Sequence, residues 1–260
     1  MSPESLLDLA RTTAREAGEL AVRMRGRGVE VAGTKSSPTD VVTEADRACE
    51  ELIRERLLGA RPDDGFFGEE GHLESSSSGI RWIVDPIDGT VNYLYGLPHY
   101  AVSIAAERDG EVVAGVVLAP ALEQEYVATR GGGAACNDVP LPQRESPPLA
   151  EALVASGYSY QQSIRAHQAE AVARMLPRVR DIRRIGSCAL DLCAVASGSL
   201  DAYVEEGPHL WDHAAGGLIA TECGARIEVW PTPRGMDLVL CAPRPIWADF
   251  EALVRECDFL

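Results

Sequence analysis

Lysine is almost absent from this 260-residue chain: of 24 basic residues, Lys35 is the one lysine and the other 23 are arginines. A GC-rich genome produces such a skew by converting lysine to arginine wherever either serves. The lysine that remains marks either a position that needs an ammonium or a chance survival. No stretch of about eighteen apolar residues is present to span a membrane. The N-terminus, Met-Ser-Pro-Glu-Ser followed by Asp8, Glu16 and several arginines, lacks the apolar segment of a secretory signal. The seven cysteines (Cys49, Cys136, Cys188, Cys193, Cys223, Cys241, Cys257) are odd in number and form no C-x-x-C pair. That spacing argues against a zinc site and a disulfide framework, and fits free thiols in a reducing cytoplasm. The Gly131–Gly133 triplet is not followed by Gly-Lys-Ser/Thr, so it reads as a turn and not a phosphate loop. There is no internal repeat.

What is abundant is acid. Forty acidic side chains against 24 basic ones give a formal net charge of −16. That balance repels a phosphate backbone and argues against nucleic acid as a direct ligand. The excess is either a solvated surface or a sign that some carboxylates hold divalent cations. At 46% hydrophobic and 25% charged residues, the composition is that of an ordinary globular protein long enough for a proper core.

Ser2-Pro3 reads as a helix cap with proline at the first helical position, and Leu6 to Met24 keep a helical period. A second amphipathic helix is predicted from Ala45 to Leu57, ending near Gly59, and the Ser75–Ser78 tract as an exposed mobile loop. Strands are predicted at Ile80–Val84, stopping at Asp85-Pro86, and at 101–107, 112–118 and 125–129, an antiparallel meander with turns at Gly131–Gly133 and Asn137-Asp138. The proline-rich stretch Pro140–Pro148 divides an N-terminal α+β half (1–145) from a C-terminal α/β half (146–260). There strands at 153–157, 182–185, 202–205 and 238–241 alternate with helices at 165–176, 189–196, 211–223 and 246–257.

Acidic residues recur where apolar elements end. Glu69 and Glu70 follow Phe66-Phe67-Gly68, Asp85 and Asp88 follow Trp82–Val84, and Asp212 opens a helix. A carboxylate at the end of a strand sits at the rim where open α/β sheets bind ligands. Two aspartates three apart, with a stiffening proline between them, can converge on neighbouring cations. Taken singly, each also has a plain structural reading: Asp-Gly as a turn, Asp212 as a helix cap, Glu-Glu as a solvated pair.

Six segments together resemble the inositol monophosphatase family of magnesium-dependent, lithium-sensitive phosphatases. They are Lys35-Ser-Ser-Pro-Thr-Asp-Val-Val-Thr-Glu-Ala-Asp46, Gly68-Glu-Glu70, Trp82-Ile-Val-Asp-Pro-Ile-Asp-Gly-Thr-Val-Asn92, Gly186-Ser-Cys-Ala-Leu-Asp-Leu-Cys193, and Leu200-Asp-Ala-Tyr-Val-Glu205 leading to Trp211-Asp-His-Ala-Ala-Gly216. The resemblance implies a layered αβαβα sandwich, with an antiparallel N-terminal sheet and a mostly parallel C-terminal one. It implies Mg2+ held by Glu69, Asp85 and the Ile87 carbonyl at a first position, and by Asp85, Asp88 and Asp212 at a second. Glu69 would help retain a third ion, with Glu70, Asp46 and Lys35 further out.

Glu69, Thr90 and Asp88 are the implied catalytic residues, with Glu69 and Thr90 orienting a metal-activated water for attack on a phosphate monoester. Ile87, Gly89, Thr90, Gly186, Ser187, Glu205 and Asp212 are the implied substrate-facing set, Glu205 bonding the hydroxyls of an inositol or sugar phosphate. Asp191, at a variable position, leaves fine specificity open. A cytoplasmic homodimer, inhibited by lithium at the second metal position, completes the implied picture. Histidinol phosphate, fructose 1,6-bisphosphate and phosphoadenosine phosphate are alternative substrates. A catalytically silent regulator or a simple cation-binding protein are the alternatives of other classes.

Overall fold

The computed structural model of the protein describes residues 2–29, 31–34 and 41–260, so Lys35 lies outside the described residues. The N-terminal half runs α1 (Pro3–Gly26), β1 (Val31–Thr34), β2 (Val41–Thr43), α2 (Glu44–Ala60), β3 (Gly65–Gly68), β4 (Leu73–Glu74), β5 (Ile80–Asp88), α3 (Thr90–Leu94), β6 (Ala101–Arg108), β7 (Glu111–Ala119), β8 (Gln124–Thr129), β9 (Gly133–Cys136) and β10 (Val139–Pro140). The C-terminal half continues with β11 (Leu153–Ser156), α4 (Gln162–Met175), β12 (Asp181–Arg183), α5 (Cys188–Ser197), β13 (Ala202–Glu206), α6 (Leu210–Glu222), β14 (Ala225–Pro231), β15 (Asp237–Pro243) and α7 (Trp247–Glu256). None of the described helices is long and apolar enough to cross a membrane.

The eight strands β10-β9-β8-β7-β6-β5-β3-β4 form one sheet, antiparallel except for the β3–β5 pair, and β12-β11-β13-β15-β14 form another. Side-chain alternation assigns the layers. On β5, Trp82 and Val84 face a core shared with Leu6, Ala10 and Ala14 of α1 and Ile53 and Leu57 of α2. Ile83, one position out of phase, faces Leu192 of α5, Ala215 and Ile219 of α6, and Tyr203, Val239 and Cys241 of the second sheet. The opposite face of that sheet, Val204, Leu238 and Leu240, packs on Met175 of α4 and Phe250 and Val254 of α7. The result is an αβαβα sandwich. Because both sheets are covered on both faces, their strands read as unbroken apolar runs such as Val112–Leu118, which is why most were legible.

Four details differ from the sequence reading. The C-terminal sheet is mixed: β11 runs parallel to β12 and β13, while the β14–β15 hairpin adds two antiparallel pairings at the other side. Strands β3 and β14 had not been anticipated, being short and glycine-flanked in one case and an amphipathic edge in the other. The serine tract is exposed, but Ser77 and Ser78 donate backbone bonds to the Asp63 carbonyl (2.9 and 3.0 Å). Finally, β5 does not stop at Asp85-Pro86. It continues to Asp88 through an irregularity in which Asp85 opposes Ser103 and Asp88 opposes Ala101. Residues three apart on a regular strand point to opposite faces. One extra residue restores the phase, and it includes Pro86, which has no N–H to lose from the ladder.

Helix α6 occupies the middle layer and starts the run Ala214-Ala215-Gly216-Gly217. A Cβ on Gly115 of β7 would lie 3.1 Å from the Ala215 Cα, and one on Gly216 would lie 2.9 Å from the Leu192 Cβ of α5. The small residues therefore let α6 pass close to sheet and helix at once. Ala215→Leu should overpack this seam and destabilise the protein by about 1–3 kcal/mol or more. Urea unfolding checks this, and an unchanged midpoint would show that the layer has slack.

Candidate active site

A cavity of about 480 Å³ opens where β5, β13 and the starts of α3, α5 and α6 meet. Its floor is acidic. One carboxylate oxygen from each of Asp85, Asp88 and Asp212 lies within 4.8 Å of the others. Asp85 and Asp88 get there through the β5 irregularity. Asp212 is the third residue of α6 and accepts the His209 N–H at 2.6 Å in a capping box. Asp212 is thus not the N-cap itself, which is His209, but the third helical residue that closes the capping box, and its other face is turned to the acidic cluster. Two further contacts hold that helix start in place. The Ser103 hydroxyl of β6 donates to the Trp211 carbonyl (3.3 Å), and the Trp211 ring packs edge-on against Phe67 of β3, centroids 5.1 Å apart.

These carboxyls oppose one another's ionisation. Burial, then the neighbouring charges of Glu69, Asp88 and Asp212, hold Asp85 well above the usual carboxylate range. Asp212 is raised by burial and by Glu69 and Asp88. Asp88 is pushed up to about 7, chiefly by burial; hydrogen bonds from the Ser187 hydroxyl (2.5 Å) and the Ala189 N–H (2.7 Å) pull the other way. A group of hard oxygen donors that resist ionisation unless a cation is added suits a hard divalent metal ion, and the three aspartates with Glu69 could hold one or more.

The remaining predicted residues fall around this floor. Glu69, Ile87, Gly89, Thr90, Gly186, Ser187 and Glu205 all line the cavity. Thr90 Oγ1 shares its proton between Asp46 Oδ1 (3.1 Å) and the Ile87 carbonyl (3.2 Å), and Asp46 is itself fixed by the Thr43 N–H at 2.8 Å. Gly89, at φ +94°, has no room for a side chain: a Cβ would lie 2.9 Å from the His99 carbonyl and 3.1 Å from that of Gly186. Asn92 ties the same two loops, donating to the carbonyls of His99 (2.7 Å) and Ile185 (2.9 Å). Ser187 caps α5 and commits its hydroxyl to Asp88.

Glu205, at the end of β13, accepts from the Tyr203 hydroxyl (3.0 Å), and its carboxyl lies on Gly157, where a Cβ would collide with it. Burial raises its pKa, against the pull of Arg184 and Tyr203. Glu70 and Asp191 are not among the lining residues; Asp191 is fully buried on α5, and neither of its oxygens has a hydrogen-bond partner among the described residues. Arg184, Tyr158 and His209 line the cavity too and were missed. Arg184 was one arginine among several between 178 and 184, and nothing in the spacing set it apart.

Residues 2–248 match the model of the inositol monophosphatase family. The inositol-1-monophosphatase SuhB of Mycobacterium tuberculosis is 46% identical over 256 residues, covering 90% of this chain and 88% of that protein. The chain belongs to the inositol monophosphatase family. It is therefore a phosphoric monoester hydrolase by family, and the fold agrees. The solved structure of Mycobacterium tuberculosis SuhB superposes with a TM-score of 0.86 at 40% identity, covering 99% of this chain and 98% of that one. The Bartonella henselae extragenic suppressor protein suhB superposes with a TM-score of 0.88 at 32% identity, covering 96% and 98%.

The raised carboxyls give the metal-free protein a characteristic response to pH. A group whose pKa is higher folded than unfolded contributes its stability in full below the unfolded value, and loses it as pH rises through the folded value. For Asp88 that window runs from about 4 to about 7. With chelator present, Asp88→Asn should gain thermal stability relative to wild type as pH is raised across that window. A saturating divalent cation, at a hundredfold excess over its dissociation constant, should return about 2.7 kcal/mol to wild type. A midpoint difference that stays constant with pH would contradict the assignment.

Proposed function

We propose that the protein is a magnesium-dependent phosphomonoesterase acting on inositol monophosphate or a closely related polyol or sugar phosphate. The observation that carries this reading is the juxtaposition, across one cavity, of the Asp85–Asp88–Asp212 cluster with Glu205. The two halves of the chain divide the work. Residues 1–145 supply Glu69, Asp85, the Ile87 carbonyl, Asp88 and Thr90, and residues 146–260 supply Glu205 and Asp212.

Glu69, Asp85 and the Ile87 carbonyl would hold one Mg2+, and Asp85, Asp88 and Asp212 a second. When bound, the ions supply the positive charge that keeps these carboxylates ionised, stabilise charge on the phosphate oxygens and acidify a water. The chain's own groups do the rest. The starts of α3, α5 and α6 all face the cavity, and the first-turn N–H groups of a helix lack intrahelical acceptors and favour an anion. Gly89 and Thr90 thereby present backbone to the phosphate at a point where a side chain would not fit. Because the Thr90 proton is directed at Asp46 and Ile87, its oxygen lone pairs are turned towards acceptance. With Glu69, it can accept a hydrogen bond from the attacking water and orient it. Glu205 stands beyond the phosphate position and offers a carboxylate, fixed by Tyr203, to paired hydroxyls of the alcohol.

Charge-assisted bonds of that kind contribute about 1.5–3 kcal/mol each. Glu205→Gln should therefore lower kcat/KM for inositol monophosphate roughly ten- to a hundredfold, while hydrolysis of a small aryl phosphate changes little. Asp88→Asn, run in parallel, should abolish both activities with a native circular dichroism spectrum. Equal losses on the two substrates in Glu205→Gln would move that residue to support of the metal site; no loss on either would remove the polyol reading.

A further inference from the structure

Glu69 reaches the cavity from a tight turn between β3 and β4, and what holds that turn is a carboxylate outside the site. Glu50, on α2, is fully buried. Its Oε2 accepts the Glu70 N–H at 2.8 Å, and its Oε1 accepts the His72 N–H at 3.4 Å and lies 2.6 Å from His72 Nδ1. Gly68 makes room for it, since a Cβ there would run into the Glu50 carboxyl. On the other side of the turn, the Glu69 N–H donates to the Val84 carbonyl of β5 at 3.1 Å, and the Gly68 N–H to the His72 carbonyl at 2.9 Å.

The peptide planes on both sides of the Glu69 Cα are thus tied, one to β5 and one to Glu50. Beyond them Gly71 is exposed with φ +107°, a position with backbone freedom of its own. A buried carboxyl is retained only where donors satisfy it, and here the donors are the turn itself. The link runs both ways: the turn satisfies Glu50, and Glu50 fixes the turn.

We propose that Glu50 is a positioning residue that presets Glu69 for metal binding from the far side of the β3–β4 turn. This rests on the reading of Glu69 as a metal ligand. Partners that orient a ligand from behind are worth about ten- to a hundredfold in metal affinity. Glu50→Gln keeps the volume but replaces one acceptor by an NH2 that faces the turn's own donors.

The test is calorimetric titration of Mg2+ into chelated wild type, Glu50→Gln, Glu69→Gln and the double variant. Glu50→Gln should raise the dissociation constant by about ten- to a hundredfold, and should add nothing in the Glu69→Gln background. An unchanged constant in Glu50→Gln, or an equal loss in both backgrounds, overturns the proposal, the latter because Glu50 would then act on the fold at large. If Glu69→Gln itself leaves Mg2+ binding untouched, the ligand assignment falls first and the proposal with it. Should Glu50→Gln fail to fold, His72→Ala removes one partner of Glu50 from a partly exposed position. It must weaken Mg2+ binding in the wild-type background and not in Glu69→Gln, or the proposal fails.

Discussion

Three carboxylates pressed together inside a protein, with a fourth against them, repel one another and lose their hydration, and the fold has to hold them there regardless. Asp85, Asp88 and Asp212 come from a strand, its continuation past an irregularity, and a helix in another layer. Each is secured by backbone that has its own reason to be where it is. Asp88 accepts bonds from the start of α5, Asp212 closes the cap of α6, and Asp85 accepts the Ile87 N–H at 3.0 Å. The mutual repulsion of like charges is thus spread over β5, α5 and α6, which pack together around Ile83, Leu192 and Ala215.

That middle layer explains residues that look inert. The Ala-Ala-Gly that follows Trp211-Asp212-His213 performs no chemistry; it sets how closely α6 can lie against β7 and α5, and so where Asp212 arrives. Gly89 and Gly186 do the same for the two loops that Asn92 joins. The residues of the acidic cavity are held by a second set whose only property is that they are small, or that they bond to backbone.

Much of this was legible from the sequence. Doubly covered sheets leave continuous apolar runs, so β5 to β8 could be read directly; the capped periodic pattern gave α1, and periodicity alone gave α2. The acidic residues stood out because they end such runs. What could not be read was phase. Nothing in Asp85-Pro86-Ile87-Asp88 says that one residue is extra on its strand, because that depends on the register with β6. The placements of Glu50 behind the Glu69 turn and of Arg184 at the cavity were equally hidden: a glutamate on an amphipathic helix and an arginine in an arginine-rich stretch have no distinguishing neighbours in sequence. The edge strand β14 was missed because its half-exposed alternation, ending at Pro231, resembles a loop. Lys35, which composition singled out, lies outside the described residues.

The account stands or falls on whether the acidic floor is a metal site. The most direct measurement is a crystal grown in chelator, soaked in Mn2+ as a surrogate for Mg2+, and recorded at a wavelength where manganese scatters anomalously. The account requires anomalous peaks within bonding distance, about 2.0–2.3 Å, of oxygens from Asp85, Asp88 and Asp212, with one peak also bonded to Glu69. It further requires that these peaks vanish in Asp88→Asn or shrink to a single site. A map with no peak at the cluster under saturating Mn2+, or with manganese bound only elsewhere on the acidic surface, would contradict it.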